Sequence, residues 1–461
     1  MFRPCLLVVP LLAAAFQASP AAAESSSADR NAATFDRAWT LVAETHFDPQ
    51  LNGVDWDAVR DELAPRARAA DSPAGLRAVL EEMLSRLGQS HFAIISSGGW
   101  SDSLDENETD LPANCSSEAY RELVAGLRTS PGGDATAGMA LRLVAGEVLV
   151  NRVNEPSAAA ERRVRPGWRV HSIDGVHLSE HVPCFSHFDN TTMRDQIVQS
   201  WLVRMTAGRP KSLVELQVET GAGRRKTLTL ERRTPPGQIV AYGNLPPVRT
   251  HFEIDWRTTT GGRRVAVTRF NIWMLPIAGA FEHAMGELRE ADGIVIDLRG
   301  NPGGVAAIAQ GVASHFLSER ASLGTLKSRR NQLELRVFPR TVNRAGERVE
   351  PYAGPLAILI DPGSASTSEV FAAGMQDLGR ATIFGEPSAG AALPAMMDEL
   401  PNGDIFLHAT MDYLRPSGGR VEGARIQPDH LIPTKRSDLL ADRDPTLVAA
   451  LIWLDTRRAP K

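Results

Sequence analysis

The feature that most constrains this chain is a repeated strand–turn–helix pattern in its second half. Two continuously apolar runs, "GIVID" at 293–297 and "LAILI" at 356–360, are each followed by a turn rich in glycine or serine. Short apolar runs bounded by turn residues are typical of strands that are buried on both faces. Helical segments such as "LPIAGAFEHAMGELREA" alternate with them. The pattern therefore predicts a layered α/β core over roughly residues 250–435.

The rest of the chain predicts two further units, because 461 residues are too many for one hydrophobic core. Residues 30–88 have apolar residues near a 3.6-residue period, which predicts helices. The segment "QSHFAIIS" follows and predicts a strand with Ser90 and His91 at its entrance. Residues 120–233 then alternate in short β-rich runs that are broken by Pro-Gly and Asp-Gly pairs.

The first residues have the pattern of a secretory signal. Arg3 precedes a short apolar run at 5–16, and an A-x-A pattern at 21–23 predicts cleavage before Glu24. The run is too short to remain in a bilayer as a spanning helix, and no later stretch approaches twenty uninterrupted apolar residues. We therefore expect a protein that is secreted across the inner membrane into the periplasm and has no membrane segment after signal cleavage.

Charge and cysteine content narrow the partners and the redox state. A net charge of −5 gives no reason to expect nucleic acid or an acidic membrane surface as a partner. After signal cleavage the chain keeps Cys115 and Cys184. In an oxidising compartment these two residues either form one disulfide or remain free thiols, and the sequence leaves both possibilities open.

A histidine-containing insert at roughly 177–196 is the one candidate metal site. His177, His181 and His187 include an i, i+4 pair that would share a helix face, but no partnering carboxylate pattern accompanies them. We therefore expect neither a metal nor a cofactor.

The serine-rich turn "GSASTSE" at 363–369 is the strongest candidate for chemistry. Ser366 follows a predicted strand and opens a predicted helix, whose N-terminus offers partial positive charge and free N–H groups to a developing oxyanion. Ser364 or Ser368 could instead act as a helix N-cap. Gly303 and Gly304, after the preceding buried strand, let backbone amides face a ligand.

Three motifs together resemble the C-terminal processing peptidase family, the tail-specific serine proteases: "IVIDLRGNPGG", "DPGSASTSEVFAAGMQDLGRATIFGE" and "RVEGARIQPDH". The resemblance covers nearly the whole mature chain and implies an α+β multidomain fold with a crotonase-like layered α/β core. The expected divisions are a signal peptide at 1–23, an N-terminal helical domain at 24–118 ending in the Ser-His strand, a PDZ-like domain at 119–235 and a serine peptidase core at 236–461 with a C-terminal helix.

The resemblance implies that Ser366 is the nucleophile, but the usual base is missing. Many family members carry a lysine twenty-five residues after the serine, where this chain has Ala391, and the next lysine downstream is Lys435. The tricorn-protease branch instead uses an adjacent serine and histidine together with a glutamate. Ser90, His91 and Glu422 match those positions.

These matches predict a role for each residue. An imidazole with an unperturbed pKa of about 6.5 can take and return the serine proton, so His91 is the expected base. Ser90 and Glu422 would orient it, as the third member of a triad does. The oxyanion would bind the Thr367 amide and one glycine amide, at 303 or 304.

A second resemblance concerns the middle unit. The series "GMAL … VNEPSAAA … VRPGWRVHSIDG" resembles a circularly permuted PDZ domain, which implies a peptide-carboxylate loop at Gly138, Met139, Ala140 and Leu141. The expected function is a secreted serine endopeptidase that acts on proteins or peptides and recognises their C-terminal segments. Two alternatives stay open: a non-catalytic binding protein on the same fold, and an esterase. The oligomeric state is not predicted.

Overall fold

The computed structural model describes residues 26–96, 99–100, 111–128, 132–187, 191–241 and 247–457. The expected signal peptide lies outside the described residues.

From residue 26 onward, the first part of the structure is built on three α-helices that pack around one apolar core. Ser72 caps the third helix by accepting a hydrogen bond from the Gly75 N–H at 3.1 Å, and Pro73 occupies the first helical position. Of the apolar residues that set the 3.6-residue period, Phe35 and Val42 are fully buried, and Trp39 and Phe47 are partly buried against the same core. The elements of this part are α1 (Ser27–Thr45), α2 (Trp56–Ala69), α3 (Pro73–Ser85), β1 (Ala93–Ser96) and β2 (Gly99–Trp100).

The middle unit is an antiparallel sheet covered by helices. Its strands follow the order β3-β4-β5-β7-β8, with β6 paired to β5. Helix α4 runs across the domain boundary predicted at 118. Ala119 and Leu123 of that helix pack into the core of the middle unit. Its elements are α4 (Ser117–Arg128), β3 (Met139–Val144), β4 (Glu147–Val153), α5 (Ala158–Glu161), β5 (Arg169–Ile173), β6 (Val176–His177), α6 (Leu178–His181), α7 (Thr191–Thr206), β7 (Leu213–Glu219) and β8 (Arg225–Glu231).

The third unit is built on a six-stranded sheet of order β11-β12-β13-β16-β17-β21, in which all neighbours from β12 onward are parallel. A three-stranded sheet, β15-β14-β20, lies beside it. The elements are β9 (Gln238–Val240), β10 (Val248–Thr250), β11 (Phe252–Thr258), β12 (Arg264–Phe270), α8 (Leu275–Leu288), β13 (Gly293–Asp297), α9 (Ala306–Ala313), β14 (Ala321–Lys327), β15 (Gln332–Val337), β16 (Leu356–Ile360), α10 (Thr367–Asp377), β17 (Thr382–Gly385), β18 (Ala395–Glu399), β19 (Ile405–Ala409), β20 (Asp412–Leu414), β21 (His430–Leu431), α11 (Arg436–Leu440) and α12 (Pro445–Thr456).

Helices cover both faces of the six-stranded sheet, which explains its continuously apolar strands. Ile296 and Ile358 point into the larger core, where α8, α9 and α10 pack. Val295 and Leu359 point to the opposite face and contact residues of α12. The sequence prediction of an α+β multidomain fold with a layered α/β core is confirmed.

The parallel pairing of β13 with β16 positions the site. Asp297 lies opposite Leu359 in this register, so the glycine-rich turn after β13 and the serine-rich turn after β16 meet at one edge of the sheet. Asp297 itself is buried between Arg269 and Arg299, and Arg299 also binds Asp444 at the start of α12.

A hairpin from the third unit completes the sheet that carries the Ser-His segment. Strands β18 and β19 form this hairpin, and β19 pairs antiparallel with β1, with Ile94 opposite Phe406. Phe406 and Leu393 pack into the core of the N-terminal helices. The N-terminal helices are therefore fixed to the third unit by both sheet pairing and apolar contact.

Arginine contacts join the middle unit to the third unit. Arg142 of β3 donates to Glu386 at 2.6 Å, and Arg425 donates to Asp195 of α7 at 2.9 Å. Within the part of the chain that the structure describes, no helix is both long and apolar enough to cross a membrane.

Candidate active site

Ser366 lies at the sharp turn between β16 and α10, with backbone angles φ 53° and ψ −118°. This conformation is unfavourable for an L-residue, costing about 1–3 kcal/mol, and a strained strand-to-helix turn is how many hydrolases expose a nucleophile. The neighbouring serines differ from it. Ser364 and Ser368 are fully buried, and their hydroxyls donate to the carbonyls of Leu298 and Asn301. Ser366 is the half-buried serine of the turn.

The glycine turn after β13 is fastened against Ser366. The Ala365 N–H donates to the Asn301 carbonyl at 3.0 Å, and Thr367 Oγ1 donates to the Gly304 carbonyl at 2.6 Å. Gly303 approaches so closely that a Cβ on it would lie 2.6 Å from the Cβ of Ser366. The two turns therefore form one rigid structure around the serine.

The candidate oxyanion donors in these turns differ in whether their backbone N–H already has an acceptor within the protein. The Gly303 N–H donates to Asn301 Oδ1 at 3.0 Å, so this amide is already engaged. Among the described residues, the N–H groups of Gly304 and Thr367 have no acceptor. Asn301, which the sequence analysis did not single out, thus decides which glycine amide is available.

Ser90, His91 and Glu422 form one hydrogen-bonded chain. Glu422 accepts the Ser90 N–H at 2.8 Å and the Ser90 hydroxyl at 2.9 Å, and it also accepts the Ala392 N–H. Since the Ser90 proton is donated to Glu422, Ser90 Oγ must accept from His91 Nδ1, 2.7 Å away. This assigns the proton of the imidazole to Nδ1 and leaves Nε2 as the basic nitrogen.

Burial changes the pKa of both ionisable members of this chain. Desolvation lowers the pKa of His91 to about 4, well below the 6.5 expected from the sequence. Burial also raises the pKa of Glu422, against the lowering effect of the Ser90 and Ala392 hydrogen bonds. A low imidazole pKa keeps His91 neutral at physiological pH, which is the form that a base requires.

The His91 backbone is also in the left-handed region, at φ 62°. The fully buried side chain of His46 packs against the segment that carries His91. Its Nε2 lies 2.8 Å from Gln89 Oε1, and its ring stacks on Phe92. Such a backbone persists only where its surroundings fix it, so His46 and Gln89 contribute to the position of the imidazole.

The segment 388–392 connects the Ser366 turn to this chain. The Ser366 N–H donates to the Ala391 carbonyl at 2.8 Å, and the next residue, Ala392, donates to Glu422. Ala391, at the position of the lysine found in many relatives, is fully buried against Ala365 and Ala389. In the described residues no hydrogen bond joins Ser366 directly to His91. Such bonds are often long in unliganded enzymes and shorten when substrate binds.

The expected peptide loop lies at an open sheet edge. Gly138 has φ 82° and its N–H donates to Thr136 Oγ1, so this amide is occupied. The Asn154 N–H donates to the Gly138 carbonyl, and this register directs the N–H and C=O of Met139 away from β4. The Ala140 amide faces β4, and the Leu141 side chain is buried. Among the described strands, β4 is the only neighbour of β3.

The cysteines and the histidine insert also find partners in the middle unit. Cys115 and Cys184 form a disulfide with a Cα–Cα distance of 4.9 Å, which resolves the alternative that the sequence left open. His181 contacts the His177 carbonyl and Glu122, and the ring of His187 packs edge-on against Tyr120. The described residues contain no group of three potential metal ligands.

Comparison with known proteins gives two family matches. Residues 264–432 match the model of peptidase family S41, and residues 28–85 match the tricorn protease C1 domain. A probable CtpA-like serine protease of Staphylococcus epidermidis is 28% identical over 235 residues, which are 51% of this chain and 43% of that protein. The chain thus spans less than half the length of that relative.

One further relative and one solved structure match almost the whole chain. The chloroplastic carboxyl-terminal-processing peptidase 3 of Arabidopsis thaliana is 25% identical over 450 residues, covering 92% of this chain and 75% of that protein. The solved structure of a photosystem II D1 C-terminal processing protease superposes with a TM-score of 0.56 at 19% identity, covering 93% of this chain and 98% of that one. The motifs in the sequence agree with these matches: residues 264–432 are similar to peptidase family S41, and the solved structure shares the fold.

Proposed function

We propose that the chain is a secreted serine endopeptidase in which Ser366 is the nucleophile and His91 the general base. The observation that carries the proposal is the oriented chain Glu422–Ser90–His91, which leaves Nε2 basic. Ser366 at its strained strand-to-helix turn supplies a suitable partner. A serine hydroxyl needs such a base, because it is a weak nucleophile while protonated.

The proposed reaction proceeds in two steps. His91 Nε2 takes the Ser366 proton while Oγ bonds to the scissile carbonyl carbon, and the resulting oxyanion is held by the N–H groups of Thr367 and Gly304. The protonated imidazole then donates to the leaving amine as the C–N bond breaks, which leaves an acyl-enzyme. Water, deprotonated by the same nitrogen, cleaves the ester and restores Ser366.

The middle unit is proposed to bind substrate as a PDZ-like domain. The outward N–H and C=O of Met139, at the open edge of β3, are suited to an added peptide strand or a terminal carboxylate. Gly138 supports the loop conformation but has no free amide. We expect Met139→Pro, which removes the N–H, to weaken cleavage of proteins more than cleavage of short peptides.

Secretion into the periplasm is proposed from two independent features. The signal pattern at residues 1–23 directs export. The Cys115–Cys184 disulfide is typical of an oxidising compartment. Fractionation of cells that express the full chain tests this directly, since a cytoplasmic location would contradict the proposal.

The function is tested by labelling with a fluorophosphonate probe, followed by mapping of the modified residue and a peptide-cleavage assay. We expect labelling at Ser366, and loss of both labelling and cleavage in Ser366→Ala with an unchanged thermal unfolding curve. His91→Ala should cost at least about a hundredfold in rate, whereas Lys327→Met and Lys435→Met should cost little. Absence of labelling would favour a non-catalytic binding protein. Labelling with ester hydrolysis but no peptide cleavage would favour an esterase.

A further inference from the structure

Glu369, in the first turn of α10, is a fully buried carboxylate that accepts four hydrogen bonds. Oε1 accepts the Ser388 hydroxyl at 2.6 Å and the Gly390 N–H at 2.7 Å. Oε2 accepts the Ala391 N–H at 2.9 Å and the Ser366 N–H at 3.0 Å. The side chain thus joins the nucleophile turn to the segment 388–391.

The pattern of donors favours the ionised form of Glu369. Three of the four donors are backbone N–H groups, which cannot accept, so a proton on Oε2 would displace one of them; a proton on Oε1 would displace the Gly390 N–H or require the Ser388 hydroxyl to turn its own proton away. The partial positive charge of the helix N-terminus and the four donors stabilise the anion. Burial nevertheless outweighs the hydrogen bonds and raises the pKa of Glu369 to about 7.

The hydrogen bond that Glu369 accepts from the Ser366 N–H holds a residue whose backbone conformation is strained. The Ser366 N–H is shared between Glu369 Oε2 and the Ala391 carbonyl, and Ala391 is itself held by Glu369. These contacts oppose relaxation of Ser366 from φ 53° to an ordinary backbone conformation. Because the Oγ direction depends on this backbone, its reactivity should depend on the same contacts.

We propose that the ionised Glu369 carboxylate is a positioning group that fixes Ser366 in its reactive conformation by fastening it to residues 388–391. The proposal rests on the proposed role of Ser366 as nucleophile. Its consequence is that protonation of Glu369 lowers the reactivity of Ser366 without unfolding the protein.

Other ionisable groups near Glu369 do not produce the same pH dependence. Tyr413 of β20 affects Glu369 electrostatically, but burial raises its pKa further above 10. Glu422 lies across the 390–392 segment and acts on His91 through Ser90. His91, with a pKa of about 4, stays more than nine-tenths neutral down to about pH 5. Because burial also raises the pKa of Glu422, the Glu369→Gln and Ser388→Ala variants, and not the wild-type profile alone, assign a loss of reactivity near pH 7 to Glu369.

The experiment measures the rate of fluorophosphonate labelling of Ser366 between pH 5 and 8.5, with thermal unfolding recorded at each pH. For the wild type, a pKa of about 7 predicts about a tenfold slower rate at pH 6 than at pH 8. Glu369→Gln, whose amide places an NH₂ against existing donors, should label at least about tenfold more slowly at pH 8. It should also lose the rate change between pH 6 and 8.

Stability separates a positioning role from a merely structural one. A carboxyl whose pKa is raised on folding binds its proton more tightly in the native state, so its contribution to stability falls as the pH rises from about 4.5 to 7. Lowering the pH across this range should therefore slow labelling of Ser366. Over the same range, protonation of Glu369 should raise the free energy of unfolding. Glu282→Gln is the matched control: Glu282 is also a buried glutamate, binds Arg340 and faces His315, and its substitution should leave the profile unchanged.

A second variant keeps the test decisive if Glu369→Gln fails to fold. Ser388→Ala removes a donor that lowers the pKa of Glu369. The acid limb of the profile, which is the range in which labelling slows as the pH falls, should therefore move to higher pH. An acid limb that does not move in Ser388→Ala would overturn the inference. So would Glu369→Gln labelling within about threefold of the wild type with an unchanged limb. If the wild type does not label at all, the proposed function fails instead.

Discussion

Adding one methyl group at Gly303 provides a sharp test of the site. A Cβ at this position would lie 2.6 Å from Ser366 Cβ, 2.9 Å from the Ala365 carbonyl and 3.0 Å from the Thr367 nitrogen. Carbon atoms in contact are normally about 3.5–4.0 Å apart, so the two turns would have to separate by about 1 Å. The backbone at Gly303, with φ +104°, adds strain for any L-residue.

The magnitude follows from the displacement. A misplacement of about 1 Å at a reacting group can cost about a hundredfold in rate. Gly303→Ala should therefore label with a fluorophosphonate about a hundredfold more slowly than the wild type, and the Thr367 amide should move away from the oxyanion position.

Gly300→Ala is the matched control in the same turn. Gly300 also has a positive φ, +72°, but a Cβ there would meet no atom within 4 Å. The substitution should cost about 1 kcal/mol in the free energy of unfolding and little in labelling rate. Labelling rates and urea unfolding of both variants test the reasoning. Equal labelling by Gly303→Ala and Gly300→Ala would refute it, because the proposed contact with Ser366 would then have no effect.

Further outcomes are expected elsewhere in the chain. Replacing Cys115 and Cys184 by serine opens a loop with a sequence separation of 69 and should lower the free energy of unfolding by about 4 kcal/mol in urea; reductant should have the same effect on the wild type and none on the variant. Arg299→Met leaves a buried aspartate with one fewer partner and should cost about 3 kcal/mol in the same assay, whereas Arg257→Met, at an exposed ion pair, should change stability by less than about 0.5 kcal/mol. Ser90→Ala should slow peptide cleavage about tenfold, less than the factor of about 10² or more typical of acid–base groups, and an unchanged rate would contradict the orienting role of Ser90.

Local sequence was sufficient for the two buried strands and for the turn that carries Ser366. The apolar runs of β13 and β16 predicted buried strands, and the glycine and serine turns after them predicted where Ser366 would lie. Periodicity and turn residues report only on neighbours along the chain. The pairing of β1 with β19, hundreds of residues apart, leaves no such signal.

The electrostatics of the site were also beyond local sequence. The sequence predicted an ordinary imidazole pKa for His91, whereas packing of the rest of the fold around it lowers this pKa to about 4. Likewise, Glu369 in the sequence is the acidic residue of a helix start, and its four donors come from Ser366 and from the segment 388–391. A pKa shift depends on burial and partners, and both are set by tertiary contacts.

The hydrogen bond between Ser90 and Glu422 has a consequence for the chain before it has finished folding. The two residues are 332 positions apart, and closing so long a loop is slow and entropically costly. Until the closing turn docks, Ser90 has no carboxylate and the imidazole of His91 has no fixed tautomer. Under the proposed function, a chain whose closing turn has not docked would carry Ser366 without an oriented base. Long-range assembly would then delay activity until folding has finished, much as a removable pro-segment does in proteases made as precursors.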